Sequence, residues 1–391
     1  MPILSDSRIY LITGKNISGS WKMELLLEEI NKDIAKNPYQ SIIQWSEHRL
    51  KFVGKKTFPV LALMPVSLIA PDMPYQDKFI RSNIHTLILG ASGSSKSTLV
   101  SETFGEITYN PLSFNDISKA ELVEEIYGMG DDISALCPDI DIIFKNPALM
   151  KILEGITGEE KNISSRNMRR DRTFKVNAIF LGAGLPNSIT KYASYGMMRR
   201  LNVIIIFHTT EEKDEINRYV KDSMFSTSKN LSVESIKKFY LKLWNIQKGK
   251  DSEFKKVEGY IVDNEFKEGI YQKHKDMSVM FSDDKYLITE LHSGFRYMCC
   301  HAMLNMLNRK TEKDEGKNKI VITREDYLVA LNLLDLEMRM KYKIFKTHKI
   351  VNTSSDVLGL YNSIIKDDSM DITFKNIAKV FIEEKVGKMS K

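Results

Sequence analysis

An apolar run, Ile84-His85-Thr86-Leu87-Ile88-Leu89, leads into Gly90-Ala91-Ser92-Gly93-Ser94-Ser95-Lys96-Ser97-Thr98, and a helical pattern starts at Leu99. This junction constrains the fold more than any other stretch. A short strand rich in Ile and Leu suits burial on both faces, as in parallel sheets covered by helices. Small residues let main-chain N–H groups turn inward around a phosphate, and a following helix adds positive potential at its N-terminus. Lys96 is placed to reach the β- and γ-phosphates, and the Ser97 hydroxyl to hold Mg²⁺. The spacing fits G-x-x-x-x-G-K-[ST] with one departure, because Ser95 stands where the last glycine belongs. A Ser/Gly-rich surface turn would lack the buried strand before it and the Lys-Ser-Thr junction after it. Residues 90–98 are therefore read as a nucleotide loop for ATP and Mg²⁺.

Further strands are expected at Ala178 to Gly182 and Val203 to His208, both short and rich in Ile, Leu and Val. With the helical patterns between them they predict an α/β layer around a mostly parallel sheet. After His208 the pattern turns helical, at 211–222, 232–247, 293–309 and 324–343, the last opened by Thr323 with Asp326 in a capping arrangement. Leu61 to Ala70 reads as a strand or buried segment, and Thr311 to Lys319 as a charged loop. The expected layout is a small N-terminal region (1–60), an α/β core (61–210), a helical lid-like region (211–345) and a helical tail (346–391).

Composition narrows the class. At 391 residues, 42% hydrophobic and 28% charged, the chain has the make-up of a soluble globular protein of two or three domains. Its net charge of +6 is only a mild tilt toward polyanions. Cys137, Cys299 and Cys300 are odd in number and form no CxxC pair, which argues against a cysteine zinc module and a secreted disulfide framework. No signal peptide is expected from MPILSDSRIYLITGK, and the apolar run Phe58 to Ala70 is broken by Pro65 and too short to span a bilayer. An intracellular protein without a membrane segment is the expectation.

Phosphoryl transfer with Mg²⁺ also needs a carboxylate near the metal and a polarised water. The segment LVEEIYGMG (122–130), read as strand-like, ends in Asp131-Asp132 about 35 residues after Lys96. Asp131 is assigned to the metal and Asp132 to the water. The rival pair, Asp139 and Asp141, precedes Ile142-Ile143-Phe144 and is set aside as lying at the wrong end of that run. Between Ile163 and Lys175, Arg166, Arg169, Arg170, Arg172 and Lys175 stand against one acid, Asp171. Flanks at 162–166 and 172–176 could pair as strands and present guanidinium groups to a nucleic-acid backbone; the alternative is a solvated charged loop.

In this order the residues resemble the AAA+ helicases that carry a β-hairpin before the sensor-1 strand, namely the MCM family and the superfamily III viral and plasmid helicases. GASGSSKS is similar to the MCM loop, in which a small residue replaces the last glycine. The series then reads DDISAL, PALMKILEGITG, NISSRNMRRDRTFK, AIFLGAGLP and MRRLNVIIIF, and HSGFRYMCCHAMLNMLNR with VITREDYLVALNLL resembles the lid. The likeness covers about Pro65 to Leu334. It implies an AAA+ fold with a helical lid, an arginine finger at Arg200 with Arg199 beside it, and a sensor-2 arginine at Arg296. It also implies DNA contact by Arg169, Arg170 and Arg172, and a ring, hexameric in the family, in which one subunit completes its neighbour's site.

Three departures accompany the likeness. Asp132 stands where MCM proteins have Glu. The sensor-1 position falls within Gly182 to Gly184, leaving Asn187 as a substitute polar group. The zinc-bearing N-terminal domain of cellular MCM proteins has no counterpart. At the other end, TFKNIAKVFIEEKVGKMSK resembles the start of a helix-turn-helix, with a plain helical pack the alternative.

The expectation is an ATP-driven helicase or translocase on single-stranded or forked DNA, in the replication of a plasmid, virus or mobile element. The alternative is a nucleotide-switched DNA-binding initiator or assembly ATPase with little hydrolysis. A small-molecule kinase ranks last, since it leaves Arg200 and the basic hairpin without a role.

Overall fold

The computed structural model describes residues 32–76, 78–114, 118–158, 162–167, 170–186, 199–223, 232–279 and 287–351. The first half of the N-terminal region, residues 1–31, together with Arg169, Asn187 and the tail from 352 onward, lies outside the described residues.

At the centre is a five-stranded sheet built from β3 (Thr86–Gly90), β4 (Pro111–Ser113), β5 (Ile133–Cys137), β8 (Ala178–Gly184) and β9 (Asn202–Ile206), ordered β4-β5-β8-β3-β9. Every neighbouring pair is parallel. The chain leaves β3 for the far edge at β4, steps back through β5 and β8, then crosses β3 to place β9 beyond it. The direction of building therefore reverses at β3, and the crevice at the carboxyl end of such a strand is where open α/β sheets bind ligands.

The strands β3, β5, β8 and β9 are buried along their whole length, because both faces are covered. The alternation is visible in β3. Ile88 faces a cluster with Val100 and Phe104, the N-terminal residues Ile42, Trp45 and Phe58, and Tyr240 and Tyr297 of the C-terminal half. Leu87 and Leu89 face the opposite cluster, with Leu122, Ile126, Ile143 and Leu153. Helices α2 (Pro38–Leu50) and α3 (Phe52–Leu61) thus share the core with the sheet, so the packing carries no division near residue 60.

Two local expectations are corrected and a third is narrowed. Residues 61–70 are buried throughout, as one of the two alternatives had it, and they are not a strand: they hold the end of α3, turns, and α4 (Met64–Ser67) with Pro65 in its first turn, where its missing N–H costs nothing. A continuous apolar run cannot be told from a buried helix by periodicity. The supposed strand ending at Gly130 is helix α6 (Lys119–Met129), opened by a capping box between Ser118 and Glu121. Its buried Leu122, Val123 and Ile126 follow helical spacing. Thr311 to Lys319 forms the hairpin of β11 (Thr311–Asp314) and β12 (Lys317–Val321), turned by Glu315 and Gly316, both at positive φ (50° and 78°) as a type I′ turn requires.

The four helices expected in the C-terminal half are present, as α9 (Thr210–Ser223), α10 (Val233–Gln247), α12 (Leu287–Leu304, starting six residues before its expected bound) and α13 (Arg324–Val351), and a further helix, α11 (Asn264–Ser278), was not expected. Asp326 Oδ2 accepts from Thr323 N and Oγ1, both at 2.8 Å, which caps α13 as predicted. Among the described residues no helix is long and apolar enough to cross a membrane.

Candidate functional site

The loop predicted at 90–98 leaves the carboxyl end of β3, at the point where the strand order reverses. It leads into a helix whose first part, α5 (Thr98–Phe104), is π-helical and runs on as Gly105–Ile107. Gly90 is required by close packing: a Cβ there would lie 2.7 Å from Ser94 Oγ and 3.2 Å from Ile206 O. Gly93 sits at φ 76° and Ser95 at φ 58°. Ser95 therefore adopts the left-handed conformation that the usual glycine takes freely, at a cost of about 1 kcal/mol. The departure from the motif changes the residue and keeps the backbone geometry.

Lys96 curls over this loop. Its Nζ donates to Gly90 O at 2.9 Å, Ala91 O at 2.6 Å and Ser94 Oγ at 3.0 Å. Partial burial lowers its pKa from the ordinary lysine value. An ammonium group held at the mouth of a loop by neutral acceptors fits an anionic ligand, which would replace those oxygens with charged ones. Ser97 follows at the helix start, the position whose hydroxyl holds Mg²⁺ in loops of this pattern.

The acidic partner is not where the sequence reading placed it. Asp131 and Asp132 precede β5, at its amino end, and all five strands run the same way. Asp132 is level with Asn177, just before β8, and close to Asn83, just before β3. From Asn83 to Gly90 the chain advances seven residues. At about 3.3 Å each this separates Asp132 from the loop by roughly 20 Å. Asp132 is instead a buried structural carboxylate, 2% exposed. It accepts from Asn177 Nδ2 at 2.7 Å and from Trp244 Nε1 at 3.0 Å, and pairs with Lys248 Nζ at 2.5 Å. Its φ of 65° belongs to the tight passage out of α6.

The set-aside pair is the one on the loop's edge. Cys137 is level with Gly182, and Gly182 with Leu87. Asp139 follows two residues past Cys137, at the carboxyl edge from which the loop also leaves, one strand removed from β3. Asp139 is exposed and caps the short helix α7 (Ile140–Phe144) by accepting from Asp141 N at 3.1 Å. Asp141 pairs with Lys145 at 3.4 Å through Oδ2, while its Oδ1 is shielded from solvent without a hydrogen-bond partner. The sequence carried this signal in ISALC, an apolar run that ends just before Asp139. The apolar content of LVEEIYGMG masks it, because that segment also reads as a strand running into an acidic pair. The carboxyl end of β8, next to β3, carries only Gly182, Ala183 and Gly184. A Cβ at Gly182 would lie 2.8 Å from the Phe180 ring, so packing excludes a side chain there.

The arginines gather at the opposite edge, by the amino ends of β3 and β9. Arg200 is exposed and donates from Nη1 to Glu154 O at 3.1 Å, in the last turn of α8 (Pro147–Thr157). Arg296, on α12, donates from Nε to Arg81 O at 2.7 Å. Arg199 is half-buried beside Arg200. Burial, aided by Arg296, Arg81 and Arg200, drives the pKa of His85 well below the ordinary value. These groups cannot reach the phosphate loop of their own chain, since β3 separates the two edges.

The basic segment is a hairpin, as its flanks suggested. β6 (Asn162–Asn167) pairs antiparallel with β7 (Arg170–Lys175), Asn167 opposite Arg170 and Arg166 opposite Asp171. Ile163 is buried at its base and Lys175 exposed. The backbone places Arg166, Arg170 and Arg172 on its strands, and the hairpin joins α8 to β8.

No protein-family model matches this chain, and no curated protein is similar to it at a significant level.

Proposed function

We propose that the chain binds ATP with Mg²⁺ in the loop Gly90–Thr98 and hydrolyses it at contacts between copies, as a ring-forming helicase or translocase on single-stranded or forked DNA. This reading keeps the AAA+ resemblance with its helical lid, and a plasmid, virus or mobile element as the replicating unit. One observation carries it: a glycine–serine loop with an inward-turned Lys96 leaves β3, an inner strand of a five-stranded parallel sheet, at the reversal of strand order.

The chemistry assigned to this chain's residues is electrostatic. Lys96 would bind the outer phosphates, the loop N–H groups would orient them, and Ser97 with Asp139 would hold the metal. Mg²⁺, when bound, neutralises developing phosphate charge. Asp141 is the remaining carboxylate beside Asp139, and we assign it to orienting water. Arg200 and Arg296 lie on the far edge, which supports a role toward a second copy's nucleotide and gives hydrolysis a reason to need assembly. The hairpin β6–β7 supplies cationic residues between α8 and β8, so a shift of that helix would move DNA contacts.

DNA-stimulated phosphate release by the purified protein is the test. ATP hydrolysis with no response to single-stranded DNA would remove the translocase, and no adenine nucleotide bound under Mg²⁺ would remove the whole reading. A second reading, a nucleotide-switched DNA-binding initiator with little hydrolysis, is favoured by the side-chain-poor end of β8 and by Ile140 directly after Asp139. Tight ATP binding without phosphate release would select it.

A further inference from the structure

Arg81 is the one member of the arginine cluster that sequence reasoning did not single out. It is 3% exposed, in the segment between β2 (Lys78–Ile80) and β3. Its Nη1 donates to Ile156 O at 3.4 Å in the last turn of α8, whose carbonyls have no partner within the helix. Two residues earlier in that turn, Glu154 O holds Arg200. The main-chain oxygen of Arg81 holds Arg296. Arg81 thus supports, through its side chain, the helix turn that holds Arg200 and, through its main-chain oxygen, Arg296 itself.

We infer that Arg81 is a positioning residue for phosphoryl transfer, holding Arg200 and Arg296 as an anion cradle for the terminal phosphate of a nucleotide bound by a second copy of this chain. The proposal rests on the reading of residues 90–98 as a nucleotide loop shared between copies. Three guanidinium groups around one uncharged imidazole repel one another, and an arriving phosphate relieves that repulsion. Arg200, exposed, and Arg296, half-buried, would touch the phosphate. Arg81 would not touch it. A purely structural account is that Arg81 only caps α8, and the two accounts differ in what mixing experiments show.

The experiment uses the full-length chain as Arg81→Gln, Arg81→Lys, Arg200→Ala and Lys96→Ala, alone and in pairwise mixtures, reading ATP affinity and turnover. Arg81→Gln is expected to lose about tenfold or more in turnover while binding ATP as tightly as the unaltered chain. Arg81→Lys should fall between the two. Mixing Arg81→Gln with Lys96→Ala should restore turnover, because an intact loop on one copy then meets an intact cradle on another. Unchanged turnover in Arg81→Gln overturns the proposal. So does recovery with Lys96→Ala by Arg200→Ala but not by Arg81→Gln. If Arg81→Gln does not fold, Arg81→Lys takes its place in the mixture, with the same outcomes. Failure of Arg200→Ala itself to recover would overturn the shared-site reading beneath it, and the proposal with it.

Discussion

The two edges of the central sheet carry similar residues to different ends. At the carboxyl edge the polar groups are exposed or held by local bonds: Asp139 is open to solvent, and Lys96 rests on neutral oxygens of its own loop. At the amino edge Asp132 is 2% exposed and fully engaged, with an amide, an indole N–H and an ammonium group as partners. An acidic residue beside a core strand is therefore not a site by composition. Strand direction decides, since in a parallel sheet only one end faces the loop. The amino edge also holds the exposed Arg200 and the half-buried Arg199 and Arg296, whose own loop lies across the sheet; under the proposed reading they serve a second copy.

The largest effect expected on this contrast comes from Lys96→Ala, which should abolish both nucleotide binding and turnover, read by calorimetry and phosphate release. Arg200→Ala should lower turnover by about 10³-fold while leaving ATP affinity unchanged, as for an arginine supplied from outside the site. A matching loss of affinity would break the two-edge division. Next, Asp139→Asn should cost roughly 10²-fold in turnover with no shift of the denaturant midpoint. Asp132→Ala should do the reverse, lowering stability by about 2 kcal/mol through the stranded buried donors of Asn177 and Trp244. Its activity per folded molecule should hold. If Asp132→Ala inactivated a folded protein and Asp139→Asn did not, the original assignment of the acidic pair would stand after all. The smallest effect is that of Ser95→Gly. It should stabilise by at most about 1 kcal/mol and leave turnover within a few-fold, checked by thermal melting and steady-state rates.

Much of the molecule was legible before the structure. Ile84 to Leu89, Ala178 to Gly182 and Val203 to His208 each fall on a strand of the five-stranded sheet within a few residues, since short Ile/Leu/Val runs bounded by turns leave few alternatives. The basic hairpin and the Thr323–Asp326 cap were readable for the same reason, being patterns of local chemistry. Residues 119–129 and 311–319 were not. The first needed its capping box weighed against its apolar content, and the second needed Glu315-Gly316 recognised as a turn pair.

By itself, the order of residues determined the α/β class, the loop with its lysine, and the positions of the cationic groups. Each depends on contacts within a few residues along the chain. Only the tertiary structure decided which carboxylates stand beside that loop and which side of the sheet the arginines occupy. Those relations join residues tens of positions apart, set by strand order and direction. A wrong helix-or-strand assignment at 122–130 was enough to send the acidic pair to the wrong end of β5.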